Sequence, residues 1–169
     1  MIFFSGFLLQ NESELFDRYL ENREFVVAGF SYGAIKAFEY VLKRNKRVDK
    51  LQLFSPAFFQ NRDEKFKRLQ LISYQKDKIS YQNSFYKNIA YPSKKDLTKY
   101  KKDSHVEDLK ELLYYEWKKE SLKRLQEKNI EIEIFLAQND KIINSSELME
   151  FFKEFGNVYF IKKVGHILW

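Results

Sequence analysis

The chain has 169 residues, is 44% hydrophobic and 32% charged, and carries a net charge of +6 at neutral pH. A globular chain of this size buries roughly 70% of the surface its unfolded form exposes, which suits one domain and excludes a disordered tail or a disulfide-stapled mini-protein. With no cysteine present, thiolate metal sites, iron–sulfur clusters and cysteine nucleophiles are excluded as well.

The apolar run from Met1 to Leu9 lacks the basic start of a secretory leader and gives way to Gln10-Asn11-Glu12. It reads as a buried strand, Ile2 to Phe4, and a loop. Leu15, Phe16, Tyr19 and Leu20 then have helical spacing behind candidate caps at Asn11 and Ser13. Phe25 to Ala28 is a second strand, Ala34 to Leu42 a helix, and Leu51 to Ser55 a third strand.

Between Arg62 and Lys102 there are 12 Lys/Arg and 4 Asp/Glu, a charge of +8, while the other 128 residues sum to −2. The same window holds seven aromatic residues and no glycine, so it reads as an inserted module. Genomic base composition is an equal explanation for the lysines, because Lys, Asn, Phe and Tyr share A/T-rich codons. Ser104 and Glu107 form a capping-box pattern opening a long amphipathic stretch through Leu109, Leu112, Leu113, Trp117 and Leu125. Ile130 to Ala137 follows as a fourth strand whose early alternation predicts a wet face near its start. Ser145 and Ser146 open a helix through Phe152 and Phe155, and Val158 to Ile161 is the last strand. Alternating strands and helices predict an α/β three-layer sandwich with a mainly parallel sheet and right-handed crossovers. No apolar stretch reaches the length of a membrane span, so the expected location is the cytoplasm.

The chemistry centres on Gly29-Phe30-Ser31-Tyr32-Gly33, a GxSxG pattern between the second strand and its helix. With 12 serines and 5 glycines in the chain, that spacing arises by chance only about 0.01 times. A serine on such a turn is an exposed nucleophile, and it needs a base. Of two histidines, His105 sits just inside a capped helix as a surface residue, whereas His166 follows the last strand in Gly165-His166-Ile167 and suits a base on a loop. Asp140, directly past the fourth strand, is the orienting carboxylate; Glu131 and Glu133 lie within a strand and Glu154 on a helix. Parallel strands bring their carboxyl ends to one edge, so Ser31, Asp140 and His166 are expected to converge there. The amides of Tyr32 and of Phe7, in the loop Ser5-Gly6-Phe7, are the expected oxyanion donors.

These motifs, in the order Ser, Asp, His, resemble the α/β-hydrolase superfamily, in which a helical lid follows the strand after the elbow. Residues 62 to 127 occupy the lid position in what the resemblance makes a single reduced α/β-hydrolase domain. Within the superfamily, a short chain with a basic aromatic lid is similar to the compact pimeloyl-[acyl-carrier protein] methyl ester esterases of biotin synthesis. The chain departs from the superfamily in Ser5-Gly6-Phe7, where His-Gly is frequent, in Ala137, where glycine is common, and in lacking the antiparallel first strands and the terminal helix.

The resemblance implies a serine carboxylesterase without cofactor or metal, acting on an acyl-carrier protein. Lys65, Lys67, Arg68, Lys94 and Lys95 are the candidate carrier contacts, since carriers are acidic, and Phe7 and Tyr32 line the substrate site. The protein is then expected to be a monomer binding neither nucleic acid nor membrane. A thioesterase or short-chain esterase would use the same machinery. A non-catalytic or RNA-binding module would leave the elbow unexplained.

Overall fold

The structure is a computed structural model describing residues 1 to 169. Strands β1 (Ile2–Phe4), β2 (Val26–Phe30), β3 (Lys50–Phe54), β4 (Glu131–Ala137) and β5 (Asn157–Ile161) form one sheet in the order 1-2-3-4-5, every neighbouring pair parallel. Six helices accompany them: α1 (Tyr32–Lys43), α2 (Glu64–Lys76), α3 (Lys78–Ala90), α4 (Val106–Tyr114), α5 (Lys119–Glu127) and α6 (Ser145–Phe152). The five apolar runs become the five strands, with ends moved by no more than two residues.

Side chains alternate across a strand, and here the two faces differ in chemistry. Val27, Leu51, Leu53, Ile132, Ile134 and Leu136 form one aliphatic face, covered by α1 and α6. Each such side chain, fully removed from water, contributes about 1.5–3 kcal/mol. Trp117 wedges between the covering helices, 5.0 Å from the Phe38 ring and 5.1 Å from Phe152, and donates to Ala57 O at 2.9 Å. Drawing Trp117 inward breaks the expected long amphipathic helix into α4 and α5. The cap of α4 also lies one residue later than the pattern suggested: His105 takes the N-cap position and its N–H donates to Asp108. Ser104 is instead an acceptor for the Leu8 N–H.

The opposite face is aromatic near the carboxyl ends of the strands. Register sets Phe30, Phe54, Phe135 and Tyr159 side by side, and since parallel strands lie about 4.8 Å apart, their rings meet in stacking range. Phe54, Phe135 and Tyr159 stack at 4.9 and 4.8 Å, and Phe16 caps the row 4.8 Å from Phe54. Phe16 belongs to a 3-10 turn, Ser13–Phe16, where the spacing of Leu15 to Leu20 predicted a helix. Backbone bonds from Tyr19 and Leu20 to Phe16 O close the turn that follows, and Gln52, whose amide donates to Tyr19 O and accepts from Glu21 N–H, ties its end to β3 in place of a further helical turn. This β1-to-β2 connection crosses the face opposite α1 while stepping the same way across the sheet, so the two connections have opposite hands. One of them departs from the right-handed rule, which rests on a helix packing back onto the strands.

Near the start of β4 the expected wet face is half right. Glu131 is exposed, but Glu133 is buried, bonded to Lys50 Nζ at 3.0 Å and to Gln52 Nε2 at 2.8 Å. Its partners come from β3, 83 and 81 residues away in sequence, and alternation within β4 alone carries no sign of them. No helix is long and apolar enough to cross a membrane.

Candidate active site

Ser31 follows β2 directly, at φ 53° and ψ −113°, a left-handed backbone that a non-glycine residue adopts only when its surroundings enforce it. Enforcement comes from three backbone bonds: Ser31 N–H donates to Phe54 O at 2.9 Å, and Ser31 O accepts from Ala34 N–H and Ala57 N–H, both at 3.1 Å. The flanking glycines are required by space. A Cβ on Gly29 would lie 2.2 Å from Gly33 O, and one on Gly33 would lie 1.9 Å from Phe4 O. The strand-to-helix turn is thus closed around the serine.

The loops after β4 and β5 meet at that edge. Asn139 N–H donates to Val164 O at 3.0 Å and Lys163 N–H to Gln138 Oε1 at 3.2 Å, which fixes the two loops to each other. Asp140 Oδ1 accepts from the amides of Ile142 (2.7 Å) and Ile143 (3.1 Å), leaving Oδ2 to face His166 Nδ1 at 2.7 Å. His166 Nε2 lies 3.0 Å from Ser31 Oγ. The Asp140 and His166 side chains are buried, at 1% and 0% exposure, so water does not compete for these bonds. A carboxylate only accepts, so the imidazole proton sits on Nδ1 and the lone pair on Nε2 faces the serine hydroxyl. The structure thereby joins Ser31, His166 and Asp140 in one hydrogen-bonded line. Glu131, Glu133 and Glu154 pair with lysines elsewhere, and His105 is exposed.

Two further groups, invisible in the sequence pattern, support this line. Ser55, fully buried directly after β3, donates its hydroxyl to His166 O at 2.8 Å and fixes the backbone of that residue. The Phe30 ring lies 5.0 Å from the imidazole and closes its other side. A serine after a strand carries no signal of such a role, because its partner is 111 residues away.

The two expected oxyanion donors differ in their surroundings. Phe7 is buried, yet its N–H donates to no protein acceptor. Tyr32 N–H is in the first turn of α1, where amides have no partner within the helix. The Tyr32 side chain turns away from the serine and donates to Glu111 of α4 at 2.5 Å, with Lys36 over its ring. Burial, with Glu111 beside it, holds this phenol well above its ordinary pKa, so it remains a neutral donor.

Above Ser31 a cavity of about 570 Å³ opens under α2, α3 and α4. Phe7, Phe59, Phe66, Phe85 and Leu112 make its apolar wall, and Gln70, Ser73, Ser80, Ser84 and Asn88 form a polar seam between α2 and α3. The Tyr32 side chain is not part of this wall; its ring is committed to α4, so only its amide is left to face the site. None of Lys65, Lys67, Arg68, Lys94 and Lys95 lines the cavity either; the basic residues that do are Arg62, Lys76 and Lys141. Lys65, Arg68 and Lys94 are exposed, Lys67 lies over the Tyr114 ring and Lys95 over Trp169. The arrangement sets a serine hydroxyl, an imidazole paired with a carboxylate, and amides without protein partners beside a cavity with an apolar wall.

No protein-family model and no curated sequence matches the chain at a significant level. Solved structures do. MenH from S. aureus aligns with a TM-score of 0.60 at 14% identity, over 98% of this chain and 85% of its own. BioG from Haemophilus influenzae aligns at 0.61 and 12% identity, over 98% and 87%. Naproxen esterase (carboxylesterase NP) from Bacillus subtilis aligns at 0.55 and 17% identity, over 85% of this chain, which spans only 53% of that enzyme's length. At these identities the likeness is one of fold, and the fold is the α/β-hydrolase fold in reduced form.

Proposed function

We propose that this protein is a serine carboxylesterase that hydrolyses the methyl ester of a pimeloyl chain carried on acyl-carrier protein. The observation that carries the esterase reading is the line from Asp140 Oδ2 through His166 to Ser31 Oγ, with separations of 2.7 and 3.0 Å, opening on the apolar cavity. His166 Nε2 takes the serine proton as Oγ attacks the ester carbonyl, and the oxyanion is met by the amides of Phe7 and Tyr32. His166 returns the proton to the departing methoxide, which leaves as methanol. A water molecule, deprotonated by the same Nε2, then attacks the acyl-serine, and as the bond to Oγ breaks the imidazolium returns the proton to Ser31 and the acid product leaves, ionising to the carboxylate. Asp140 holds the imidazole in the required tautomer and stabilises its cation throughout.

The carrier-bound substrate is supported more loosely. The helical segment over the cavity carries the +8 window, and electrostatic attraction of an acidic carrier to such a face speeds encounter and orients it. Helices α2 to α4 act as the lid in this reading, with Lys65, Lys67, Arg68, Lys94 and Lys95 on its outer surface, and the protein works as a monomer in the cytoplasm. The structural similarity to BioG, whose fold this chain shares, agrees with the same reading.

The test is product analysis after incubation with methyl-pimeloyl carrier protein. The proposal expects methanol and a carrier that keeps its acyl chain. Release of free carrier thiol without methanol would make the enzyme a thioesterase, and no reaction beside hydrolysis of small esters would make it a general short-chain esterase.

A further inference from the structure

Glu12 is a carboxylic acid with no exposed surface, and no step of the chemistry above uses it. Its Oε1 accepts from Gly6 N–H at 2.7 Å, while its Oε2 is buried without a hydrogen-bond partner. Gly6 is the middle of the loop Ser5-Gly6-Phe7 that follows β1. The other end of that loop is held from the helical insertion: Leu8 N–H donates to Ser104 Oγ at 3.3 Å, and Leu8 O accepts from Tyr86 Oη at 2.8 Å and Lys102 N–H at 3.0 Å. Leu8 itself is at φ 60°, a conformation that these bonds maintain. Of the three consecutive amides Gly6, Phe7 and Leu8, the outer two are each given an acceptor and the middle one is left without any.

Buried amides are nearly always paired, and leaving one unpaired costs stability. A fold that supplies acceptors on both sides of Phe7 and none for it keeps that donor for an atom the protein does not contain. We propose that Glu12 is a positioning residue of the oxyanion site, its Oε1 anchoring Gly6 so that the Phe7 amide is presented to the oxygen of a substrate bound at Ser31. This rests on the esterase reading and names a residue that its reaction requires. Burial raises the pKa of Glu12, against the opposing pull of Gly6 N–H, the Ser5 hydroxyl and Lys102, which lessens the cost of keeping this carboxyl beside a developing oxyanion. The anchor needs an acceptor oxygen and no charge.

The experiment compares wild type, Glu12→Gln and Glu12→Ala on p-nitrophenyl acetate, with thermal melts and fluorophosphonate labelling of Ser31 alongside. Glutamine keeps the acceptor and alanine removes it. The expected result is a loss in kcat of tenfold or more for Glu12→Ala with KM within about twofold, and recovery to within about threefold of wild type for Glu12→Gln. The labelling rate should follow kcat, because the phosphoryl oxygen uses the same amides. A folded Glu12→Ala with wild-type kcat, or a Glu12→Gln as impaired as Glu12→Ala, overturns the inference. If Glu12→Ala does not fold, the wild type itself decides by NMR. On phosphonylation the Phe7 amide should shift downfield while the Gly6 amide stays in place, and a Gly6 shift as large as that of Phe7 overturns the inference. A wild type that neither hydrolyses esters nor is labelled at Ser31 refutes the esterase reading, and this inference with it.

Discussion

Asp140→Asn is the substitution whose consequence can be worked furthest from the geometry. Oδ1 of Asp140 already accepts two amides, from Ile142 and Ile143. In the variant the amide oxygen must take that position, because an NH2 group there would face two N–H donors. The NH2 group therefore occupies the Oδ2 position and donates to His166 Nδ1. That forces the imidazole proton onto Nε2, where it points at Ser31 Oγ and leaves no lone pair to accept the hydroxyl proton. Flipping the asparagine restores the tautomer but misdirects two amides, at about 1–3 kcal/mol each. The competent form thus lies about 2–6 kcal/mol uphill, and at 1.36 kcal/mol per decade its population falls by roughly 30-fold to 10⁴-fold. Loss of the negative charge that stabilises the imidazolium adds to this, so kcat on p-nitrophenyl acetate should fall by about 10³-fold to 10⁴-fold. The melting temperature should change little, since the side chain keeps its two amide bonds. Glu131→Gln, at an exposed site at the start of β4, should leave kcat unchanged. A folded Asp140→Asn retaining more than a tenth of the activity would refute this account of the acid.

Other expectations concern the support of the site and its surface. Ser55→Ala removes the hydroxyl that donates to His166 O, so the melting temperature should drop by roughly 2–12 °C and kcat should fall with KM nearly constant; an unchanged kcat would mean that the His166 backbone is fixed by other contacts. Simultaneous charge reversal at Lys65, Lys67 and Arg68 should slow hydrolysis of a carrier-bound ester, most at low salt, and spare p-nitrophenyl acetate. Equal losses on both substrates would mean that these residues are structural, and no loss on either would leave base composition as the reason for the lysines.

Elements governed by local pattern were legible in the sequence. The five strands are short runs of β-branched and aromatic residues, and the turn at Ser31 is announced by glycines that backbone contact at 2.2 and 1.9 Å makes obligatory. What depended on distant partners was not legible. Gln52 takes up Tyr19 O and Glu21 N–H where the expected helix after Leu15 would have continued, and Lys50 and Gln52 bury Glu133 against its own alternation. Trp117 breaks a continuous amphipathic pattern because it has two rings to meet on other helices. In the candidate site, Ser31, Asp140 and His166 stand out by position after strands, whereas Ser55 and Glu12 look like an ordinary serine and an ordinary surface glutamate. The basic residues at the cavity, Arg62, Lys76 and Lys141, are likewise indistinguishable in one dimension from lysines that face solvent.

The central claim is that the Ser31 hydroxyl is a nucleophile. It is tested most directly by treating the protein with a fluorophosphonate and locating the adduct by peptide mass spectrometry. The account predicts one adduct per chain, on the peptide containing Ser31, and none in Ser31→Ala that melts at the wild-type temperature. An adduct on a different serine, or a Ser31→Ala that is still labelled and still hydrolyses esters, would contradict it.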